Sequence, residues 1–413
     1  MHKLITRFLL ILLVSVIACG VMGCAQDEDS SSDDDAAEDP TPGDDDDDND
    51  DNDDDDDNDD DDDNDNDDVF PPEEQDPFME RGTILPPNSL ECYPVGGPPQ
   101  FNCNHHSSSV VELPDGAMAA VWYHGEREKS LDSRVVWSRL EPGEDDWTTP
   151  EVLFDDPERS EGNPTLWVDD GDRMLLFFPS IYGEAWNDAR PRMIRSEDGG
   201  LSWSPPVLLR DGPCWMVRHA PVRLAGGDLL LPLYNECLAY PVYIRSTDGF
   251  QTWVEEPHLD LDYYFGHLGQ IQPSAVVFDD GMISVITRDG LPFHRIGRTT
   301  SDDNGATWSA STRLSLPNSG TGVDQVLLLD GHVVVAYNDS PDSRFPLTAA
   351  LSRDRGETFV AVRNLNDECD DVSCSYSYPS ITQNTHDGTI WVTYSVNRET
   401  IGWVHFNEAW LIQ

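Results

Sequence analysis

The chain has 413 residues, 80 acidic side chains against 25 Lys and Arg, and a formal net charge of −55. Residues 25–75 hold 30 acids and no Lys or Arg, whereas residues 76–413 hold 50 acids against 23 bases. A basic surface for nucleic acid is excluded, and the roughly 340 residues beyond the acidic run suffice to bury a large core.

Lys3 and Arg7 precede the apolar run Phe8 to Ala18, which reads as a signal peptide and is too short to span a membrane comfortably. Val21-Met22-Gly23-Cys24 resembles the lipobox of bacterial lipoproteins, whose cysteine is acylated, with Val16-Ile17-Ala18-Cys19 as an alternative. Acylation at Cys24 implies export and lipid anchoring to the bacterial cell envelope, at the outer membrane or cell surface. The organisation expected is a signal peptide at 1–24, a disordered Asp/Asn-rich tether at 25–75 and a folded domain at 76–413. The run Asp44 to Asp68 contains only Asp and Asn. It has nothing to bury and repels itself, so an extended, solvated tether is expected. Calcium-loop ligand spacing and a turn glycine are missing from it.

Six cysteines remain after Cys24, as the neighbours Cys92 and Cys103, Cys214 and Cys237, and Cys369 and Cys374. An exported chain permits disulfides. Local pairing is the expectation, although spacing leaves the connectivity open. No Cys-x-x-Cys or His cluster suggests zinc.

From residue 76 onward one unit recurs: a short apolar strand, an Asp-Gly type turn and a second apolar strand. The copies lie at 109–122, 164–178, 221–234, 273–288, 323–338 and 379–394. Their turn glycines, Gly116, Gly171, Gly227, Gly281, Gly331 and Gly388, are 55, 56, 54, 50 and 57 residues apart. Asp-Gly between apolar runs signals a hairpin, because glycine tolerates positive φ. Without sustained helical periodicity, such regular strands predict an all-β, six-bladed β-propeller with one blade per repeat. Ser196-Glu197-Asp198-Gly199-Gly200-Leu201-Ser202-Trp203 recurs at 246–253, 301–308 and 352–359. This is the Asp box, in which Ser and Asp hydrogen-bond the turn backbone and the aromatic plugs between strands. It sits on the outer rim and carries no catalytic role. The second copy has Phe250 at the glycine position, and the first blade keeps a degenerate version at 138–147. The sixth blade ends too early for a copy, so the segment Met79 to Leu85 is expected to supply its outer strand and close the ring.

Six blades with repeated Asp boxes resemble the sialidase (neuraminidase) superfamily over residues ~95–413. Phrases such as Asn102-Cys103-Asn104-His105-His106, Gln272-Pro273-Ser274 and Ser377-Tyr378-Pro379 look like its bacterial BNR-repeat branch, the predicted neuraminidases. The family holds a carboxylate with three arginines, attacks with a Tyr activated by a Glu, and uses an Asp as acid/base. Counting from the turn glycines, the resemblance implies Asp132 as acid/base, Arg288 and Arg344 as carboxylate-binding arginines, and Tyr378 as nucleophile with Tyr376 nearby on the same strand face. Two places depart from the pattern: His106 occupies the first arginine's position, and Gln272 that of the glutamate. Glu161, Glu236 and Asp324, with His105 and Asn235, fall near inner-strand ends and are candidate pocket-lining residues. Trp122, Tyr123, Trp186 and Trp215 are read as packing rather than sugar-stacking aromatics.

The resemblance implies an exo-acting glycoside hydrolase on an anionic, carboxylate-bearing sugar. The alternatives are a uronic-acid polysaccharide lyase, with His106 as base and Tyr378 as acid, and a non-catalytic glycan-binding propeller. No cofactor or metal is expected. The expected partners are a glycan and, through the lipid anchor alone, a membrane; a monomer is expected.

Overall fold

The computed structural model describes residues 71–413 except 73–74, 95, 170–172, 257–260, 292 and 370–373. The acylation candidate Cys24, the signal peptide and nearly all of the tether lie outside the described residues.

The described residues form six antiparallel sheets of four or five strands, arranged as a β-propeller. Blade I is Asn104–Glu112, Met118–Gly125, Arg134–Leu140 and Glu151–Phe154. Blades IV and V follow the same plan, with Gln270–Val277 and Asp324–Leu327 innermost. In blades II and III the innermost strand is broken, into Ser160–Glu161 with Thr165–Val168 and into Trp215–Val217 with Val222–Arg223. Blade VI carries Tyr376–Gln383, Ile390–Val396 and Thr400–Phe406, and its outer strand is the N-terminal Met79–Thr83, paired from Met79↔Phe406 to Thr83↔Gly402. The ring therefore closes by joining the two ends of the domain. Among the described residues helix is confined to short pieces such as Leu261–His267 and Glu408–Leu411.

Alternation along each strand gives every blade two apolar faces, and these faces meet in the seams. Val121, Val135, Leu176 and Phe178 fill the seam between blades I and II; Phe177, Leu231 and Ile244 fill the next. Equivalent clusters occupy the other four seams, the last joining Trp122 and Val136 to Ile401. Losing one such Leu or Ile to Ala costs about 2–5 kcal/mol, so the seams, not the axis, hold the ring together.

The Asp boxes serve the seams. Ser196 Oγ accepts from Gly200 N at 2.8 Å, and Asp198 Oδ1 accepts from Ser202 N at 2.9 Å. The same bonds recur at Asp248, Asp303 and Asp354. Each box lets its aromatic pack into the seam with the preceding blade: Trp203, Trp253, Trp308 and Phe359 in turn. Phe250 takes a φ of 72° where the sister boxes use glycine, and it is buried against Trp167. The degenerate box keeps its aromatic, since Trp147 packs between blades VI and I. The structure pairs Cys92 with Cys103, Cys214 with Cys237 and Cys369 with Cys374.

Candidate active site at the propeller hub

The innermost strands break at one common level. In blades I, IV and VI the register shifts between His106 and Ser109, Ile271 and Ser274, and Ser377 and Ser380. The bulged residues Ser107, Gln272 and Tyr378 adopt φ of 58°, 54° and 56°. Left-handed backbone at a non-glycine residue costs of order 1–3 kcal/mol. A bulge also re-aims the side chain, and here it turns Gln272 and Tyr378 toward the axis.

Tyr378 is the centre of what gathers there. Arg288 Nη1 donates to its hydroxyl at 2.9 Å and Gln272 Nε2 at 3.3 Å. Gln272 is held in turn by Tyr234 at 3.4 Å and by Arg288 at 3.4 Å. The guanidinium carbons of Arg218, Arg288 and Arg344 lie 5.5, 5.8 and 5.7 Å from the tyrosine ring centroid. His106 meets the ring edge-on at 4.5 Å. A side chain on Gly322 would come within 3.4 Å of the same ring, so the glycine makes room for it.

These neighbours set the protonation states. Burial raises the Tyr378 phenol, but Arg288, the Gln272 hydrogen bond and Arg344 outweigh it and hold the group below the ordinary value of 10.0. His106 is driven well below 6.5, first by burial and then by Arg398, Arg344, Arg218 and Arg288. Its Nδ1 bonds Ser395 Oγ at 2.8 Å, and its buried Nε2 has no hydrogen-bond partner. On a strongly acidic chain, four arginines thus converge on one aromatic hub, where an anion would be stabilised.

Of the residues expected from sequence, His106, Gln272, Arg288, Arg344 and Tyr378 come together. Glu236 lies close enough to act on Tyr234 and Arg288 electrostatically. Asp132 does not join them. Its carboxylate accepts from the Glu126 amide at 3.1 and 3.0 Å, from Ser130 Oγ at 2.6 Å and from the Tyr93 amide at 3.1 Å, which fixes the loop after blade I's second strand. Glu128 of that loop is the carboxylate that faces the hub, accepting from Tyr123 Oη at 3.1 Å and Arg398 Nη1 at 3.0 Å. Tyr376 shares a strand but not a direction with Tyr378, because the bulge intervenes. It packs in the blade V–VI seam at 5.5 Å from Tyr394. Asp324 lies lower, in an axial channel of about 390 Å³, accepting from Ser274 Oγ at 2.7 Å and Ile381 N at 3.1 Å. Glu161 is fully buried, takes a 3.1 Å bond from Ser180 Oγ, and burial pushes its pKa up to about 9. Trp122 and His105 bond each other inside the protein at 3.0 Å.

Sequence reasoning passed over Arg218, Arg398, Glu128 and Tyr234. For Arg218 a signal existed: it stands nine residues before Gly227, as Gln272 stands nine before Gly281. Tyr378 stands ten before Gly388 because that turn is one residue longer, Gly388 N bonding Asn384 O rather than the carbonyl three residues back. Arg218 is 1% exposed and braces the strand that bears Tyr378, its Nη2 donating to Ser108 O, Tyr378 O and Pro379 O at 3.1, 3.2 and 3.1 Å.

Comparison with known proteins agrees with this architecture. The family model described as a BNR repeat-like domain matches residues 116–404. The chain belongs to the BNR repeat-like family. Among solved structures it resembles a Hadza microbial sialidase, at 15% identity and a TM-score of 0.61, over 73% of this chain and 65% of that one. It also resembles a protein of unknown function from Dyadobacter fermentans, at 17% identity and a TM-score of 0.63, over 74% and 95% of the two chains. Trypanosoma rangeli sialidase in complex with the inhibitor DANA matches at 13% identity and a TM-score of 0.61, over 79% and 59%. The chain thus spans about two thirds or less of the length of those two sialidases. No curated protein sequence matches it. This BNR repeat-like protein shares the fold of those sialidases.

Proposed function

We propose that this protein is an exo-acting glycoside hydrolase that cleaves a terminal, carboxylate-bearing sugar from extracellular glycans. The observation that carries the reading is Tyr378 ringed by Arg218, Arg288 and Arg344 at 5.5–5.8 Å. Arg288 and Arg344 offer forked donors to a substrate carboxylate. Tyr378 accepts from both Arg288 and Gln272, an arrangement that favours phenolate. The arginine field is thus suited to the part a neighbouring carboxylate base would play: it favours the ionised oxygen that would attack or stabilise the oxocarbenium-like centre. Protonation of the leaving oxygen falls to the 126–132 loop, where Glu128 reaches the hub and Asp132 holds the loop in place. The sialidase complexed with DANA and others of this fold support the sugar class.

The elimination reading is weaker here. His106 would have to be the base, yet burial and four arginines hold it far below 6.5, so it takes up a proton poorly at neutral pH. The acidic leader is proposed to hold the propeller away from the membrane through the lipid on Cys24.

Fluorogenic glycosides test the reading. Wild type is expected to release fluorophore from one or more sialosides or hexuronides and not from the neutral hexosides, with Tyr378→Phe at least a hundredfold slower. Glu128→Gln should lower kcat for poor leaving groups more than Asp132→Asn does. Turnover of neutral glycosides alone, or full activity in Tyr378→Phe, sinks the proposal.

A further inference from the structure

Far from the hub, the turn joining the first two strands of blade V carries Asp330-Gly331-His332. His332 Nδ1 lies 2.8 Å from Asp330 Oδ2 and 2.9 Å from Glu408 Oε1. One nitrogen, one carboxylate oxygen of Asp330 and one of Glu408 all fall within 4.8 Å of one another, and Glu408 is buried. The group is preorganised. The His332 amide donates to Asp330 Oδ1 at 2.9 Å and so holds the other oxygen toward the imidazole. Asn407 caps the short segment that bears Glu408, accepting from Trp410 N at 3.0 Å.

Sister blades show what is unusual. Asp115 and Asp280, at the equivalent turns, meet Arg139 and Arg355, each at 2.6 Å. Beside the blade III turn, Asp228 meets Arg245 at 3.4 Å. Blade V instead sets a second carboxylate, that of Glu408, against the turn aspartate, with the His332 imidazole between them. An imidazole Nδ1 carries at most one proton and can aim it well at only one of two oxygens. A cation with bonds of about 2.1 Å in octahedral geometry places adjacent donors about 3.0 Å apart, and the two nitrogen–oxygen separations are close to that. Mixed imidazole and carboxylate donors suit first-row divalent transition ions such as zinc, nickel and manganese rather than calcium.

We propose that Asp330, His332 and Glu408 form a divalent transition-metal site that clamps the C-terminal segment to blade V. Glu408 follows directly on Thr400–Phe406, the strand that pairs with Met79–Thr83 to close the ring, and Asn407 also bonds Phe78 N and Asp76 O at 3.1 and 2.8 Å. An ion there would tie the closing seam to the neighbouring blade, and binding to the folded state alone raises stability by mass action.

Titration calorimetry of the full chain with zinc, nickel and manganese tests this. The 30 acids of residues 25–75 give a diffuse background common to all variants. On top of it wild type should show one saturable equivalent, weakened at least tenfold in His332→Gln and in Asp330→Asn. Zinc should raise the wild-type Tm and leave that of His332→Gln unchanged. Nickel should give a ligand-field absorption band in wild type that His332→Gln lacks. Identical isotherms for wild type and both variants, or a zinc-induced Tm shift that survives His332→Gln, overturn the proposal and leave an ion-paired histidine with cations on the acidic leader only. If His332→Gln does not fold, Asp330→Asn and the wild-type nickel spectrum decide the matter.

Discussion

Replacing Arg288 by Met removes a guanidinium that donates to the Tyr378 hydroxyl at 2.9 Å, while keeping most of the side chain's bulk. A hydrogen bond from a charged donor is worth about 1.5–3 kcal/mol, and one pKa unit corresponds to 1.36 kcal/mol. The phenol should therefore titrate higher in Arg288→Met. The sign follows from the charge: the arginine stabilises the anion, so its loss favours the neutral hydroxyl. Gln272 and Arg344 remain to oppose the effect of burial. The readout is the near-ultraviolet phenolate band, with Tyr378→Phe as the reference that isolates this residue from the other tyrosines. In wild type the difference signal should rise below the ordinary tyrosine range, and in Arg288→Met it should move upward. The ascending limb of kcat/KM, set by formation of the phenolate, should move upward with it, and at neutral pH the phenolate fraction should fall about ten- to a hundredfold. A wild-type Tyr378 that titrates at or above the ordinary value, or one indifferent to Arg288→Met, refutes the view that arginines replace the missing glutamate.

Glu161 bears on stability rather than chemistry. With its pKa at about 9, the folded chain holds a proton between pH 4.5 and 9 that the unfolded chain has released. The stability linked to that proton is complete below the unfolded pKa and falls as pH rises, by about 1.4 kcal/mol per unit, until the folded group ionises. Glu161→Gln should remove this slope, so urea unfolding at pH 8 should show a gain over wild type that is absent near pH 4. Asp354→Ala deletes the bonds to Thr358 N at 2.8 Å and Ser352 Oγ at 2.8 Å; Tm should fall by a few degrees while kcat/KM per folded molecule stays unchanged. Gly322→Val pushes two methyl groups toward the Tyr378 ring, already 3.4 Å from an added Cβ; activity should drop at least tenfold with near-native circular dichroism.

Much of this molecule is written in local patterns. Turn glycines spaced 50–57 residues apart name six hairpins, and each Asp box is complete within eight residues, because its bonds link residues two to four apart. Those short-range rules were enough for the propeller, the blade count and the seam aromatics. Counting from the same glycines also reached Gln272, Arg288 and Tyr378, since each of the two strands that leave a turn is a ruler from turn to hub. It failed where direction depends on a neighbour. Asp132 and Glu128 share one loop, and only packing against Tyr93, Tyr123 and Arg398 turns the first inward to the backbone and the second to the hub. Tyr376 and Tyr378 look alike as alternate strand residues until a bulge between Ser377 and Ser380 sends them apart. Arg218 and Arg398 lie 180 residues apart in the chain, and both act on His106. No local rule relates them; they meet because closing the ring with Met79–Thr83 brings every inner strand to one axis.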